Sequence, residues 1–356
     1  MKIKKLNYKH YQNIKSLTKK NNSRVVTLRS FKILNNLVKK KSTIILHGLY
    51  DKRKLVGFHI TIRKIITYRK KLFNVLVSSN WNVLKNYRNH SFALINKYFY
   101  LKSDLYLTTT ANINVAKMWK FFGAKEINNE TCKINLFKIV NYTNLVDCFL
   151  KKRINYSQKF ISNFIGSVLN FFFSYKNLFL KNKNQLLFKK ITKNSAKLEV
   201  FNKNFEKTNK FPIEMRSGGS LIKYLNVLEL NQKKTYIYKM LKNKKMIGYI
   251  VLVGENYNGY SRMFLGELRI NEQFKYFINE ILINACNIAK EKKYSIIYFK
   301  YIQPRIFKLI NKSYFSIIKY NFNSYLIKIG SKKAKKLENF FINSWSSTYL
   351  DGDCLL

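Results

Sequence analysis

Apolar runs of strand length alternate with segments of helical periodicity along most of the chain. Runs rich in β-branched and aromatic residues predict strands at 43–49, 56–62, 73–77 and 105–110. Similar runs follow at 236–241, 247–253, 264–270, 295–299 and 324–329. Helices are predicted over 91–100, 115–122 and 272–292. In the last, Phe274, Phe277, Ile278, Ile281, Leu282, Ala285 and Ile288 recur at spacings of three and four. Lys290, Lys292 and Lys293 suit the negative end of its dipole. Residues 24–140 and 201–356 thus read as alternating strands and helices. Residues 141–200 read as helical and apolar, then rich in Lys and Asn.

The two alternating regions echo each other. Asp51-Lys52-Arg53-Lys54-Leu55-Val56-Gly57-Phe58 and Lys242-Asn243-Lys244-Lys245-Met246-Ile247-Gly248-Tyr249 each run from a polar turn into an apolar strand through a glycine. A glycine there marks a bulge or a close backbone approach. Two such openings suggest one fold duplicated. The predicted class is α/β (α+β), with two mixed-sheet domains at 1–140 and 205–356 joined by a helical, basic connector at 141–204.

Length agrees, since 356 residues suggest about two domains. An apolar content of 47% is enough for real cores and excludes a wholly disordered chain. With 12 Gly and 2 Pro, collagen-like and linker-like readings are also excluded. Cys132, Cys148, Cys286 and Cys354 lie far apart with no CxxC pair, so no metal site is expected and a reducing compartment fits. The formal charge of +51 predicts attraction to an anion: nucleic acid, an acidic membrane face or a polyanionic metabolite. The first residues lack an apolar signal segment, and a cytoplasmic protein is expected. The longest uncharged run, 160–175, has 16 residues, short of the roughly 18–20 a membrane span needs. It reads as a buried core helix, or as an interfacial helix between Lys159 and Lys176 at the inner membrane face.

The stretch 81–100 carries the chemistry. A strand ends near Val83, a polar loop Lys85-Asn86-Tyr87-Arg88-Asn89-His90 follows, and a helix opens at once. Free backbone N–H groups and the positive dipole end at such a start suit pyrophosphate. Small residues, here Ser91 and Ala93, let phosphates approach, and Lys85 or Arg88 adds a charge-assisted contact. Arg216-Ser217-Gly218-Gly219-Ser220 reads as a flexible loop, with an anion nest at a helix start as the alternative.

Here the sequence resembles the GCN5-related N-acetyltransferase (GNAT) superfamily. Its acyl-CoA loop, Gln/Arg-x-x-Gly-x-Gly/Ala, matches Arg88-Asn89-His90-Ser91-Phe92-Ala93 at both ends, with Ser91 in place of the first Gly. Downstream, Leu107-Thr108-Thr109-Thr110-Ala111-Asn112-Ile113-Asn114 looks like the family's next strand and the Asn before a helix, which here closes on Phe122-Gly123-Ala124. Upstream, Leu55-Val56-Gly57-Phe58 resembles the strand before the loop. The C-terminal half looks like a second, degenerate copy, with Asn271-Glu272-Gln273-Phe274 where the loop belongs. The ending Trp345-Ser346-Ser347-Thr348-Tyr349-Leu350-Asp351-Gly352-Asp353 resembles the tails of bacterial tandem GNAT acyltransferases linked to cell-surface polysaccharide precursors.

The resemblance implies acetyl-CoA or another acyl-CoA as co-substrate, lying in a gap between two parallel strands. An amine or hydroxyl of a small or carrier-linked acceptor, such as an amino sugar, attacks its thioester. Val83, Arg88, Asn89, His90, Ser91, Phe92, Ala93, Asn112 and Asn114 are the implied cofactor-binding positions. Asp351 and Asp353 are candidates for the catalytic base or for binding a sugar hydroxyl. Two rivals fit the charge: a basic RNA-binding protein of organellar ribosomal type, and an aminoacyl-tRNA-dependent transferase with two GNAT-like domains.

Overall fold

The computed structural model describes residues 1–20, 44–127, 134–153, 159–178, 185–209, 211–300, 302–319 and 324–344. The chain begins with β1 (Lys2–Lys5) and helix α1 (Tyr11–Lys20), then the meander β2 (Ile44–Asp51), β3 (Lys54–Tyr68) and β4 (Lys71–Val83). A 3-10 turn over Lys85–His90 opens helix α2 (Ser91–Phe99). Next come β5 (Leu105–Ala111), α3 (Ile113–Phe121), the short β6 (Lys125–Glu126) and β7 (Ile134–Ile139). Helices α4 (Thr143–Arg153) and α5 (Lys159–Leu178) precede β8 (Leu187–Ile191), α6 (Ala196–Thr208), β9 (Ile213–Glu214) and α7 (Ser220–Leu230). The second meander is β10 (Lys234–Lys242), β11 (Lys245–Tyr257) and β12 (Tyr260–Ile270). It leads through a 3-10 turn, Glu272–Phe277, into α8 (Ile278–Glu291). The described chain ends with β13 (Ile296–Phe299), α9 (Pro304–Phe307), β14 (Ser316–Lys319), β15 (Ser324–Ile329), α10 (Lys332–Lys335) and α11 (Glu338–Ser344).

Two mixed sheets result. The first has the order β1-β2-β3-β4-β5-β15-β6, with β9 against β3, and the second β14-β7-β13-β12-β11-β10-β8. Each is antiparallel except at one pair, β4 with β5 and β12 with β13. The expected class of two mixed-sheet domains is therefore present. The sheets nevertheless exchange strands across the expected division. The segment Ile134–Ile139 pairs with β13 and β14, and the late strand Ser324–Ile329 lies between β5 and β6. The connector is not wholly helical either. Leu187–Ile191 pairs with β10 as an edge strand. Its short Leu-Phe-Lys-Lys-Ile pattern is a weak strand signal that β10 completes.

The two glycines do what their positions predict. A Cβ on Gly57 would sit 2.9 Å from a Val83 methyl, and one on Gly248 3.0 Å from Ile270 Cα. Both glycines let the third strand of a sheet approach the end of the fourth. In each sheet the fourth strand then carries one extra residue over the same interval. Residues 57–61 oppose 78–83, and 248–252 oppose 265–270. The unpaired residue is Asn80 in β4, with φ of 42°, and Gly266 in β12; counted from the glycines, Asn80 aligns with Glu267, which pairs with Val251 beside the second bulge. The hairpin turns echo as well. Arg69-Lys70 and Asn258-Gly259 each have positive φ at both central residues, the type that matches strand twist.

Residues 216–220 are not the flexible loop the sequence suggests. The Arg216 side chain is fully buried, and Gly218 and Gly219 adopt left-handed backbone at φ 65° and 75°. The backbone N–H groups of Arg216 and Ser217 donate to Glu206 Oε1 (2.5 and 3.0 Å), and that of Gly218 donates to Glu199 Oε1 (2.8 Å). The nest is filled by the chain's own carboxylates. Around it lies a buried ion network. Arg216 meets Glu214 at 2.8 Å and Glu267 at 2.7 Å. Arg269 meets Glu267 at 2.7 Å and Glu206 at 3.1 Å, and Lys64 of β3 meets Glu214 at 3.0 Å. The network joins the two sheets, because Lys64 and Glu214 belong to the first and Glu267 and Arg269 to the second.

Replacing Glu267 by Ala removes the carboxylate shared by two buried guanidinium groups and leaves three buried cations against two carboxylates. The expected loss of stability is about 3–5 kcal/mol, read by urea denaturation. A loss under about 1 kcal/mol would mean that the arginines find other partners or water.

Candidate active site between β4 and β5

Strands β4 and β5 run parallel and in register over four pairs, from Val75–Leu105 to Ser78–Thr108. Past Ser78 and Thr108 the strands part. Across the bulge at Asn80 β4 stays paired with β3, Trp81 with His59 and Val83 with Gly57, while its pairing with β5 has ended. Among the described residues, the edge of β4 that faced β5 then has no strand opposite it. Backbone groups on such an edge are open to a ligand.

Tyr98 of α2 fixes the point of divergence. Its buried phenol donates to the Leu76 carbonyl at 2.5 Å and lies 3.5 Å from that of Leu107, one on each strand. Burial pushes its pKa well above 10, so it stays a donor at any physiological pH. His59 packs edge-on to Tyr98, with ring centroids 5.1 Å apart, and its Nε2 is 2.7 Å from Ser78 Oγ. Burial, reinforced by the neighbouring His47, lowers the His59 pKa to about 3. A neutral imidazole is therefore part of the wall behind the gap.

On the opposite face lie two hydroxyls. Val77 and Leu107 belong to the core beneath α1, so Ser79 and Thr109, two residues on, share that face. Both are buried, and among the described residues Ser79 Oγ and Thr109 Oγ1 have no hydrogen-bond partner. One lies on each diverging strand, immediately past the last paired residues. Buried hydroxyls are ordinarily bonded, so this pair marks a place where a ligand or water completes the site.

The sequence-predicted residues gather at the C-terminal ends of these strands. Val83 ends β4 and is buried against Leu49, Val56 and Leu94. Arg88, Asn89 and His90 are exposed, and Ser91 is buried at the first turn of α2. Ala93 is half-buried. Phe92 is exposed and sits edge-on to Phe121 at 5.9 Å. Asn112 follows β5 and caps α3, its Oδ1 accepting from the Val115 N–H at 3.0 Å. Asn114 is exposed in the next turn. Asp351 and Asp353 lie outside the described residues. The bulge, the Tyr98 latch and the paired hydroxyls were not among the predicted features. Their signal in the sequence is the polar run Ser78-Ser79-Asn80 inside an apolar strand, matched by Thr108-Thr109 on its partner.

The second sheet repeats the frame with different chemistry. Strands β12 and β13 are paired from Arg262–Ile296 to Phe264–Tyr298 and then part. The helix that follows carries Glu280 in its first turn, where α2 has Ala93, and Glu272 opens the preceding turn where Lys85 stands in the first half. The first turn of α2 has no acid. Glu280 Oε1 accepts from the Leu186 N–H at 2.8 Å, so the chain itself covers this helix start. A cleft of about 640 Å³ opens nearby, with Asn271, Glu272, Gln273, Phe205 and Arg305 in its wall. Arg305 is paired with Glu272 and stacks 3.7 Å from the Phe211 ring centroid, so its charge is already answered.

No protein-family model matches the sequence, and no curated protein matches it. Solved structures do. A GCN5-related N-acetyltransferase from Anabaena variabilis superposes with a TM-score of 0.56 at 10% identity, over 93% of this chain and 73% of that one. A probable N-acyltransferase from Enterococcus faecalis gives 0.56 at 9% identity, over 92% and 72%. Saccharomyces cerevisiae N-myristoyltransferase with bound myristoyl-CoA gives 0.53 at 13% identity, over 92% and 82%. At these identities the likeness is one of fold, and the chain has the tandem GNAT fold that its motifs resemble.

The His59 environment makes a pH prediction. Unfolded, its imidazole takes a proton near 6.5; folded, near 3. The folded pKa is depressed, so the stabilising contribution is complete above pH 6.5 and is lost as pH falls from there toward 3. Stability should decline by up to about 1.4 kcal/mol per pH unit for this proton. His59→Gln should flatten that part of the profile. An unchanged slope in the variant would contradict a buried neutral His59.

Proposed function

We propose that the protein is an acyltransferase that takes an acetyl or longer acyl group from acyl-CoA, bound between β4 and β5, and delivers it to an amine or hydroxyl. The observation that carries this reading is the contrast between two equivalent helix starts. The first has no acid in its opening turn and displays Arg88, whereas the second bears Glu272 and Glu280 and is closed by Leu186. A pyrophosphate suits the first and is repelled by the second. The likeness to acetyl- and myristoyltransferases supports the same chemistry.

In this reading the loop amides and Arg88 hold the pyrophosphate, and the Phe92–Phe121 pair offers an exposed aromatic surface for the adenine. The pantetheine arm runs to the gap beyond Ser78 and Thr108. There the open edge of β4 polarises the thioester carbonyl. The acceptor's lone pair attacks the carbonyl carbon, the carbon–sulfur bond breaks, and CoA leaves as the thiolate. The hydroxyls of Ser79 and Thr109 border the reacting carbonyl on the α1 side and orient the acceptor. Asp351 and Asp353 are this reading's candidates for the base. The net charge of +51 favours an acceptor carried on a phosphate or pyrophosphate, such as a nucleotide- or lipid-linked sugar.

Acetyl-CoA binding measured by calorimetry at about 0.3 M salt separates this site from loose polyanion attraction. Arg88→Ala should weaken binding about tenfold or more, the worth of one charge-assisted hydrogen bond. Ala93→Glu, which copies the second half's carboxylate into the first, should abolish it. Unchanged affinity in both variants would overturn the assignment, and absence of wild-type binding would sink the acyltransferase reading.

A further inference from the structure

Helix α5 is inside out. It has 20 residues and no acid. Ser162 and Gly166 are buried, and Leu169 and Asn170 are half-buried, so this small and largely polar stripe faces the protein. Gly166 lies against α4 so closely that a Cβ there would sit 2.5 Å from Thr143 Cα. Asn170 accepts from the Tyr142 N–H at 2.9 Å through Oδ1 and donates to Thr143 Oγ1 at 3.3 Å through Nδ2. The opposite stripe is apolar and open. Phe160, Phe164, Ile165, Val168, Phe171 and Phe172 are all exposed, Phe160 at 81% and Phe171 at 71%. At 3.6 residues per turn these six cover an arc of about 140°. The sequence reading of a buried core helix is therefore overturned. Its apolar residues are buried only if something outside the chain covers them.

Three observations identify the cover. Among the described residues no helix is long and apolar enough to cross a membrane, so α5 does not read as a span. Its sequence neighbourhood is basic: Lys151, Lys152, Arg153, Lys159 and Lys176 lie on α4 and α5, whose single acid, Asp147, is paired with Lys151. The whole chain carries +51, so a second copy would bring an equally cationic surface against this face. An apolar helical stripe with basic flanks suits an anionic bilayer, with the phenyl rings at the headgroup boundary and the cations among lipid phosphates.

We propose that α5 is an interfacial docking helix that seats the protein on an anionic lipid surface through Phe160, Phe164, Phe171 and Phe172. This holds whatever reaction the β4–β5 site performs. The test uses the full chain and flotation with two vesicle types. One is phosphatidylcholine alone, and the other contains about one-third phosphatidylglycerol at near-physiological salt. Wild type should float with the anionic vesicles. The variant Phe164→Ser/Phe171→Ser/Phe172→Ser should bind them about tenfold more weakly or worse, with an unchanged circular dichroism spectrum because all three positions are exposed. Equal binding by the variant would mean that charge alone attracts the lipid and would overturn the proposal. So would a wild type that does not float. A wild type that sediments as a dimer, dissociates on the three substitutions and ignores vesicles would assign the face to a second copy and likewise overturn it.

Discussion

Three buried glutamates organise this molecule. In a chain of 68 basic and 17 acidic residues, Glu206, Glu214 and Glu267 are withdrawn from the surface to meet Arg216, Arg269 and Lys64. Burying six charges is tolerable only if each is paired and further hydrogen-bonded. That condition is met by the αL glycines at 218 and 219, by the Ser217 hydroxyl, which donates to Glu206 Oε2 at 2.5 Å, and by the Tyr224 hydroxyl, which donates to Glu214. The arrangement ties Lys64 of the first sheet to β12 of the second. It also places a carboxylate, Glu267, beside the bulge of β12, at the position that aligns with Asn80 of β4. One repeated frame thereby acquires two different settings, with the buried hydroxyls of Ser79 and Thr109 past the β4–β5 pairing and a buried ion network on β12 in the second half.

The strand exchange reinforces this asymmetry. With Ser324–Ile329 inserted beside β5 and Ile134–Ile139 beside β13, neither half completes its sheet alone. The partner strand of the β4–β5 gap is therefore held on its far side by a segment from the opposite end of the chain. Tyr98 holds the near side. The gap has fixed walls, which is what holding a reacting group in one geometry requires.

Much of this was legible in the sequence. The glycines at 57 and 248, the polar turns before them and the helix starts after Val83 and Ile270 carried the duplicated frame, because each reflects local backbone geometry. The loop at 88–93 was legible for the same reason. The strand exchange was not. Ile134–Ile139 and Ser324–Ile329 are ordinary apolar strands, and nothing local says which sheet edge receives them. The buried network was hidden by composition, since an Arg before Gly-Gly in so basic a chain reads as surface. The face of α5 was hidden because a Phe-rich helix satisfies the pattern of a core helix equally well, and only the burial of Ser162 and the packing of Gly166 and Asn170 against Tyr142 and Thr143 reveal its orientation.

The central claim is that duplication left one anion-receptive helix start, at α2, and closed the other, at α8. The stoichiometry of acetyl-CoA on the intact chain tests it directly. Equilibrium binding at saturating cofactor should give one molecule per chain and should be unaffected by Lys275→Ala in the second loop. Two molecules per chain, or loss of binding on changing Lys275, would show that the second half holds cofactor and would contradict the account.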